Sequence, residues 1–202
     1  MRRGQGVPAG LSRQRLRRAV LEVTDEQGLD ALSVRNVARR VGVEAMSIYH
    51  YFPSKDALVA AAWDEVVCTL EPSGLDSADT WQDYGLAFAN QLRAKLLAHP
   101  NALPIMLGRH VNSPDSMAVI EQIVTAFHRR GLPLATSVEA LNLVSMFTMA
   151  HALNEHLLPT RHPPTPDPEL HPSLHGSTTD KASPHTGNRF NAQITALLKT
   201  CA

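Results

Sequence analysis

The chain has 202 residues, of which 44% are hydrophobic and only 5% aromatic. This length provides buried cores for one or two small domains, and a composition dominated by Ala and Leu favours helices over a sheet. No apolar run is long enough to cross a bilayer or to form a signal peptide, and Cys68 and Cys201 are too far apart for a metal-binding spacing. We therefore expect an all-α, cytoplasmic protein without a metal or other cofactor.

The net charge of zero hides an uneven distribution of charge along the chain. Residues 1–60 contain ten Lys and Arg and six Asp and Glu, whereas residues 61–202 contain nine and thirteen. A basic N-terminal segment followed by an acidic C-terminal segment is typical of a protein that binds DNA through one end only. The excess of positive charge in residues 1–60 is small, so the prediction of DNA binding depends on the sequence motifs.

The basic N-terminal segment predicts three helices. Ser12 caps a first helix that runs to about Gln27, where Gly28 ends it. Two short helices follow at about 33–41 and 45–51, joined by a tight turn at Gly42. Their apolar residues recur at helical spacing and are Val34, Val37, Ala38, Val41, Val43 and Ile48. This is the pattern of a helix-turn-helix, whose second helix is small enough to enter a DNA groove.

The remainder of the chain predicts a second helical domain. The predicted helices cover residues 54–70, 81–99, 102–109, 114–130, 136–158 and 188–199. The segment 159–186 holds seven of the fourteen prolines and four of the ten histidines, which predicts a flexible loop. The predicted organisation is a flexible basic N-terminus at 1–10, a DNA-binding domain at 11–58 with its motif at about 33–52, and a ligand-binding and dimerisation domain at 59–202.

The predicted helix at 136–158 is apolar on nearly all sides, so it must be buried on two sides. A chain of this size rarely supplies two cores around one helix, which indicates a partner surface. The last helix, 188–199, follows a long loop and needs a docking site, for which the helix at 136–158 is the best candidate. We therefore expect a homodimer that forms through these two helices.

The motif and its flanks resemble the TetR family of bacterial transcriptional repressors. The matching residues are Gly28, Leu32, Ser33, Ala38, Gly42, Val43, Tyr49, Tyr51, Phe52, Lys55 and Leu58. The segment from Phe88 to Leu158 resembles the tetracycline-repressor branch in its helix order and in the phrase Met106-Leu-Gly108. The resemblance implies an all-α fold with a three-helix DNA-binding head, a regulatory domain, a four-helix dimer interface and a palindromic operator.

The resemblance also assigns roles in DNA binding. Arg35 would read a base, most often guanine, or contact a phosphate, and the first residues of the third helix would face base edges. Ala45 and Met46 cannot form bidentate hydrogen bonds, but they can touch a thymine methyl group. Ser33, Lys55 and the tyrosine hydroxyls would contact phosphates. The candidate DNA-binding residues are Ser33, Arg35, Ala45, Met46, Ser47, Tyr49, His50, Tyr51 and Lys55.

In the family a small molecule binds the regulatory domain, shifts the fourth helix and releases the DNA. The candidate ligand-binding residues are Phe88, Leu92, Met106, Arg109, His110, Met146, Phe147 and Asn154. Tetracycline-binding members hold a magnesium–drug complex with a His and a Glu, and Met106 and Asn154 stand at those positions here. Because Met is a poor ligand for magnesium, we expect a largely apolar effector, aromatic or polyketide-like, instead of tetracycline.

Other classes of function find less support in the sequence. The chain has no Gly-x-Ser-x-Gly, no phosphate-binding Gly-rich loop and no His-Glu-x-x-His, so we expect neither an enzyme nor a metal site. His151 and Glu155 share a helical face, but His156 does not. The alternative that stays open is a helix-turn-helix protein that organises DNA or recruits a protein partner and senses no small molecule.

Overall fold

The computed structural model describes residues 11–106, 113–157, 167–171, 173 and 187–201, and within these ranges the chain forms helices and no strand. The α-helices are α1 (Arg13–Gln27), α2 (Val34–Val41), α3 (Ala45–Tyr49), α4 (Lys55–Cys68), α5 (Trp81–Ala98), α6 (Leu103–Met106), α7 (Pro114–Arg129), α8 (Leu134–Leu157) and α9 (Gly187–Leu198). None of these helices is long and apolar enough to cross a membrane. The all-α fold predicted from the sequence is confirmed, while the segment 1–10 and most of 159–186 lie outside the described residues.

The helices begin where hydroxyl side chains cap them. Ser12, Ser33 and Ser54 each accept a hydrogen bond from the backbone amide three residues later, at 3.1 to 3.2 Å. Thr80 and Ser113 cap α5 and α7 in the same way, each at 3.1 Å. Such caps satisfy amides that have no partner within their own helix. The predicted helix starts at Ser12, Ser54 and Ser113 are therefore confirmed.

The DNA-binding head predicted from the sequence is built from α1 to α3, and α1 packs along α4. Gly42 ends α2 in the left-handed conformation, with φ of 74°, and the chain turns there directly into α3. Val37 and Ile48 are fully buried, and α2 packs against both α1 and α3. The third helix ends at Tyr49, two residues earlier than predicted, because the next amides turn back to the carbonyl of Ile48.

The second half of the chain packs α5, α7, α8 and α9 against one another. One side of α8 is buried through Ala140, Leu141, Val144 and Ala152. Its other side exposes four large apolar residues, which are Leu134, Val138, Leu143 and Met146. The helix is therefore apolar on more than one side, as predicted. Leu134, Val138 and Met146 line a cavity described below, and Leu143 lies outside that lining.

The last helix docks at the meeting point of α5 and α8. The ring of Phe190 is fully buried between Phe147, at 6.2 Å between centroids, and His151, at 4.8 Å. At the other end of α9, Leu198 lies so close to Gly85 that a methyl group added to the glycine would stand 2.8 Å from it. A side chain at position 85 would therefore force the Leu198 side chain to shift.

Candidate nucleic-acid interface and ligand cavity

Most of the residues predicted to bind DNA are exposed on α2, on α3 or at the start of α4, and we call this region the exposed rim. Met46 and Tyr49 are 67% and 48% exposed, although both are large and apolar or aromatic. Arg35, His50 and Lys55 are also exposed, and Lys55 is the first residue of α4. A folded chain seldom leaves several large side chains uncovered at one place unless a partner covers them. The structure thus leaves Arg35 on α2, Met46 and Tyr49 on α3, His50 just after α3 and Lys55 at the start of α4 exposed.

Four of the residues predicted to contact DNA are half-buried or form hydrogen bonds within the head itself. The hydroxyl of Tyr51 donates to the carbonyl of Leu11 at 3.4 Å, so this tyrosine is half-buried and holds the chain ahead of α1. The hydroxyl of Ser33 accepts the amide of Asn36 at 3.2 Å as the cap of α2. Ala45 and Ser47 are half-buried. For Tyr51 the structure favours a positioning role within the head over the predicted phosphate contact.

A cavity of about 790 Å³ lies between α4, α5, α7 and α8. This volume is within the range of pockets that take drug-sized molecules. The lining residues are Trp63, Val67, Leu70, Phe88, Leu92, Ile120, Glu121, Ile123, Val124, Leu134, Val138, Leu141, Asn142, Ser145, Met146 and Met149. The wall is therefore mainly apolar, with one carboxylate, one amide and one hydroxyl as polar groups.

Only part of the predicted ligand site is found in this wall. Phe88, Leu92 and Met146 line the cavity, as predicted. Phe147 does not, because its ring is turned toward Phe190 in the joint between α8 and α9. Asn154 is exposed on α8 and is not part of the lining. Arg109, His110 and the side chain of Met106 lie outside the described residues.

The contribution of α4 and α7 to the cavity was not predicted from the sequence. Trp63, Val67 and Leu70 form the wall on the α4 side, and they recur at the three- and four-residue spacing of one helical face. That spacing can be read from the sequence. However, α4 is apolar on most sides and buries other residues against α1, so the spacing alone does not distinguish the residues that face the cavity.

The core behind the cavity contains a buried tyrosine that makes stability depend on pH. The Tyr84 ring packs edge-on against Phe127 at 5.2 Å, and the Arg130 guanidinium lies 4.5 Å from its centroid. No described residue hydrogen-bonds to its hydroxyl. Burial raises the pKa of Tyr84 from 10.0 to about 12, and the opposing effect of Arg130 is smaller.

We expect Tyr84→Phe to remove part of the loss of stability in alkali. Since the folded protein holds this proton more tightly than the unfolded chain, Tyr84 costs stability as the pH rises from 10 to 12. The effect should be about 1–3 kcal/mol in the free energy of unfolding, measured by urea denaturation at pH 8 and pH 11.5. Tyr49→Phe, at an exposed site, is the control, and equal alkaline losses in both variants would contradict the assignment.

The comparisons with known proteins agree with this geometry. Residues 16–62 match the family model of bacterial regulatory proteins of the tetR family, and residues 73–173 match the tetracyclin repressor-like C-terminal domain. The transcriptional repressor DrrR1 of Streptomyces coeruleorubidus is 28% identical over 155 residues, which cover 76% of this chain and 57% of the relative. The class D tetracycline repressor of Escherichia coli is 29% identical over 172 residues, covering 82% and 78%.

Solved structures show the same fold. The crystal structure of the Streptomyces coelicolor TetR family protein ActR in complex with (S)-DNPA superposes with a TM-score of 0.79 at 22% identity, covering 96% of this chain and 98% of that one. The likeness includes both the helix-turn-helix head and the helical body. With two family models that together match most of the chain, the protein belongs to the TetR family of DNA-binding transcriptional regulators.

Proposed function

We propose that this protein is a homodimeric repressor that binds a palindromic operator and leaves it when a largely apolar small molecule enters the cavity. The observation that carries the proposal is the position of α4. This helix begins at Lys55 on the exposed rim and ends beside the cavity, where Trp63 and Val67 form one wall. A molecule that shifts α4 would therefore shift the head that α4 supports.

The exposed apolar side of α8 supports the dimer. Leu143 is 45% exposed on α8 and does not line the cavity. The neighbouring helix α9 exposes Ala192, Thr195 and Ala196, which are small enough to let a second helix approach closely. Two copies of α8 and α9 would form a symmetric interface. Residues 11–58 would then bind DNA, and residues 59–202 would bind the ligand and dimerise.

The cavity wall supports an apolar, aromatic effector. Trp63 and Phe88 offer flat faces for stacking, and Met146 and Met149 are adaptable side chains that suit varied ligands. The polar groups Glu121, Asn142 and Ser145 are few, as expected where polar contacts only orient a ligand. The described residues contain no group of three or more His, Cys, Asp or Glu side chains that could hold a metal ion.

Two experiments test the function. Selection of sequences from a random duplex DNA pool should enrich an inverted repeat whose half-sites lie about one helical turn apart. Enrichment that is independent of sequence would favour the architectural or protein-recruiting alternative.

The second experiment uses tryptophan fluorescence. The chain has two tryptophans, so Trp81→Phe leaves Trp63 as the only reporter of the cavity.

Fluorescence of this variant should change on titration with aromatic polyketide quinones, beginning with actinorhodin, which is bound to ActR in another crystal structure. The same compounds should release the protein from the selected operator. Tetracycline with Mg²⁺ serves as the comparison. If tetracycline with Mg²⁺ alone changes the fluorescence, or if no quinone does, the proposed effector class is wrong.

Replacing Arg35 with Ala should weaken binding to the selected operator by about 1–3 kcal/mol and relax its sequence preference, because a bidentate contact to a guanine would be lost. Fluorescence anisotropy on operator duplexes with single substitutions measures both effects. Arg129→Ala removes the same charge from an exposed site on α7 and should change neither. If Arg35→Ala lowers affinity equally on every sequence, Arg35 contacts a phosphate instead of a base.

A further inference from the structure

A buried ion pair connects the head to the body on the side of α4 that faces away from the cavity. The guanidinium of Arg17 in α1 is only 3% exposed. Its Nε–H donates to Glu65 Oε2 at 3.2 Å, and its Nη1–H donates to Asp115 Oδ2 at 2.8 Å. One side chain of the head therefore contacts both α4 and the first turn of α7.

A second set of hydrogen bonds lies beside this ion pair. The hydroxyl of Ser116, which is fully buried, donates to Asp64 Oδ1 at 2.7 Å. The backbone amide of Ser113 donates to the same oxygen at 3.4 Å. Asp64 thus binds the start of α7, where unpaired amides and the helix dipole favour a carboxylate. We call the set of Arg17, Asp64, Glu65, Asp115 and Ser116 the polar junction.

The polar junction and the cavity share one turn of α4. Trp63 and Val67 line the cavity, while Asp64 and Glu65, between them in sequence, belong to the junction. Successive residues of a helix point about 100° apart, so the two faces are fixed to each other by the helix backbone. A displacement of Trp63 and Val67 must therefore also move Asp64 and Glu65 relative to the start of α7, which carries Asp115 and Ser116.

The junction can respond in an all-or-none manner. A buried charge is strongly unfavourable without its partner, so Arg17 and Glu65 resist gradual separation. Short, directional hydrogen bonds tie Asp64 to α7 in the same way. Contacts of this kind hold one arrangement until they exchange for another, as expected of an element that switches between two states.

We propose that the polar junction is the contact through which occupancy of the cavity and occupancy of the operator influence each other. The proposal rests on the proposed function, because it requires both a DNA-bound state and a ligand-bound state. Coupling free energies are reciprocal, so operator binding to the head must also change the behaviour of the junction end of α7. This reciprocity allows a test that needs no effector.

Amide hydrogen exchange of the full-length dimer, with and without the selected operator duplex, provides the test. Operator binding should slow exchange in the segment 114–120 of the unsubstituted protein, although this segment is part of the body. In Asp115→Asn and Ser116→Ala, the operator-induced slowing should shrink by about 2- to 30-fold. Both variants should still bind the operator. Asp79→Asn is the control, because it removes one charge from an exposed site on the body outside the junction.

The outcomes separate the two proposals. Full operator-induced slowing in both junction variants, or none in the unsubstituted protein, would overturn the coupling role and leave the repressor function intact. A variant that exchanges faster along α7 without DNA, yet keeps the full operator response, would show that the junction is structural only. If the unsubstituted protein selects no operator, the proposed function itself fails.

Discussion

Replacing Leu143 with Glu should convert the dimer to monomers and weaken operator binding by about 10²- to 10⁴-fold. Leu143 lies on the exposed apolar side of α8 and does not line the cavity. In a symmetric dimer, a glutamate at this position would place two carboxylates in an apolar interface without cationic partners, which is strongly unfavourable. The monomer would then bind one half-site at a time and lose the high effective concentration of its second head.

Light scattering and operator titration measure the two effects. Met117→Glu is the matched control, because Met117 is 52% exposed on α7, outside the proposed interface and the cavity lining. It should leave both the dimer and the operator affinity unchanged. A dimer that survives Leu143→Glu would show that another face of the molecule forms the interface. Circular dichroism at equal concentrations confirms that both variants remain helical.

The head was predictable from the sequence because its signals are local. A capping serine, an apolar stripe and a glycine define α2 within ten residues, from Ser33 to Gly42. Each signal depends only on the backbone geometry of its own helix. The same local rules located the starts of α4 and α7. What they could not indicate is that the Tyr51 hydroxyl reaches the carbonyl of Leu11, since that contact joins distant parts of the chain.

The cavity was only partly predictable because α8 is apolar on two sides. Met146 and Phe147 are consecutive and similarly hydrophobic, but the first lines the cavity and the second packs against Phe190. Periodicity alone cannot decide which apolar side of such a helix meets the cavity. The buried acids Asp64 and Glu65 were also unpredictable, because charged residues are usually exposed unless paired, and their partners are far away in sequence.

The contacts of α9 predict a large loss of stability when Phe190 is truncated. This ring is fully buried, and the guanidinium of Arg93, 5.4 Å from its centroid, also forms an ion pair with Glu155 at 2.6 Å. The ring therefore joins α9 to α5 and α8 at once. Phe190→Ala should lower the free energy of unfolding by about 3–5 kcal/mol, the usual cost of truncating a buried phenylalanine.

Chemical denaturation measures this loss, and Ile194→Val provides the scale within the same helix. Ile194 is also fully buried, but removing one methyl group should cost only about 0.5–1.5 kcal/mol. Because α9 also contributes to the proposed interface, Phe190→Ala should also weaken the dimer, so that it dissociates at higher protein concentrations than the unsubstituted protein. If Phe190→Ala costs no more than Ile194→Val, the docking of α9 contributes little to the fold, and the dimer must depend on α8 alone.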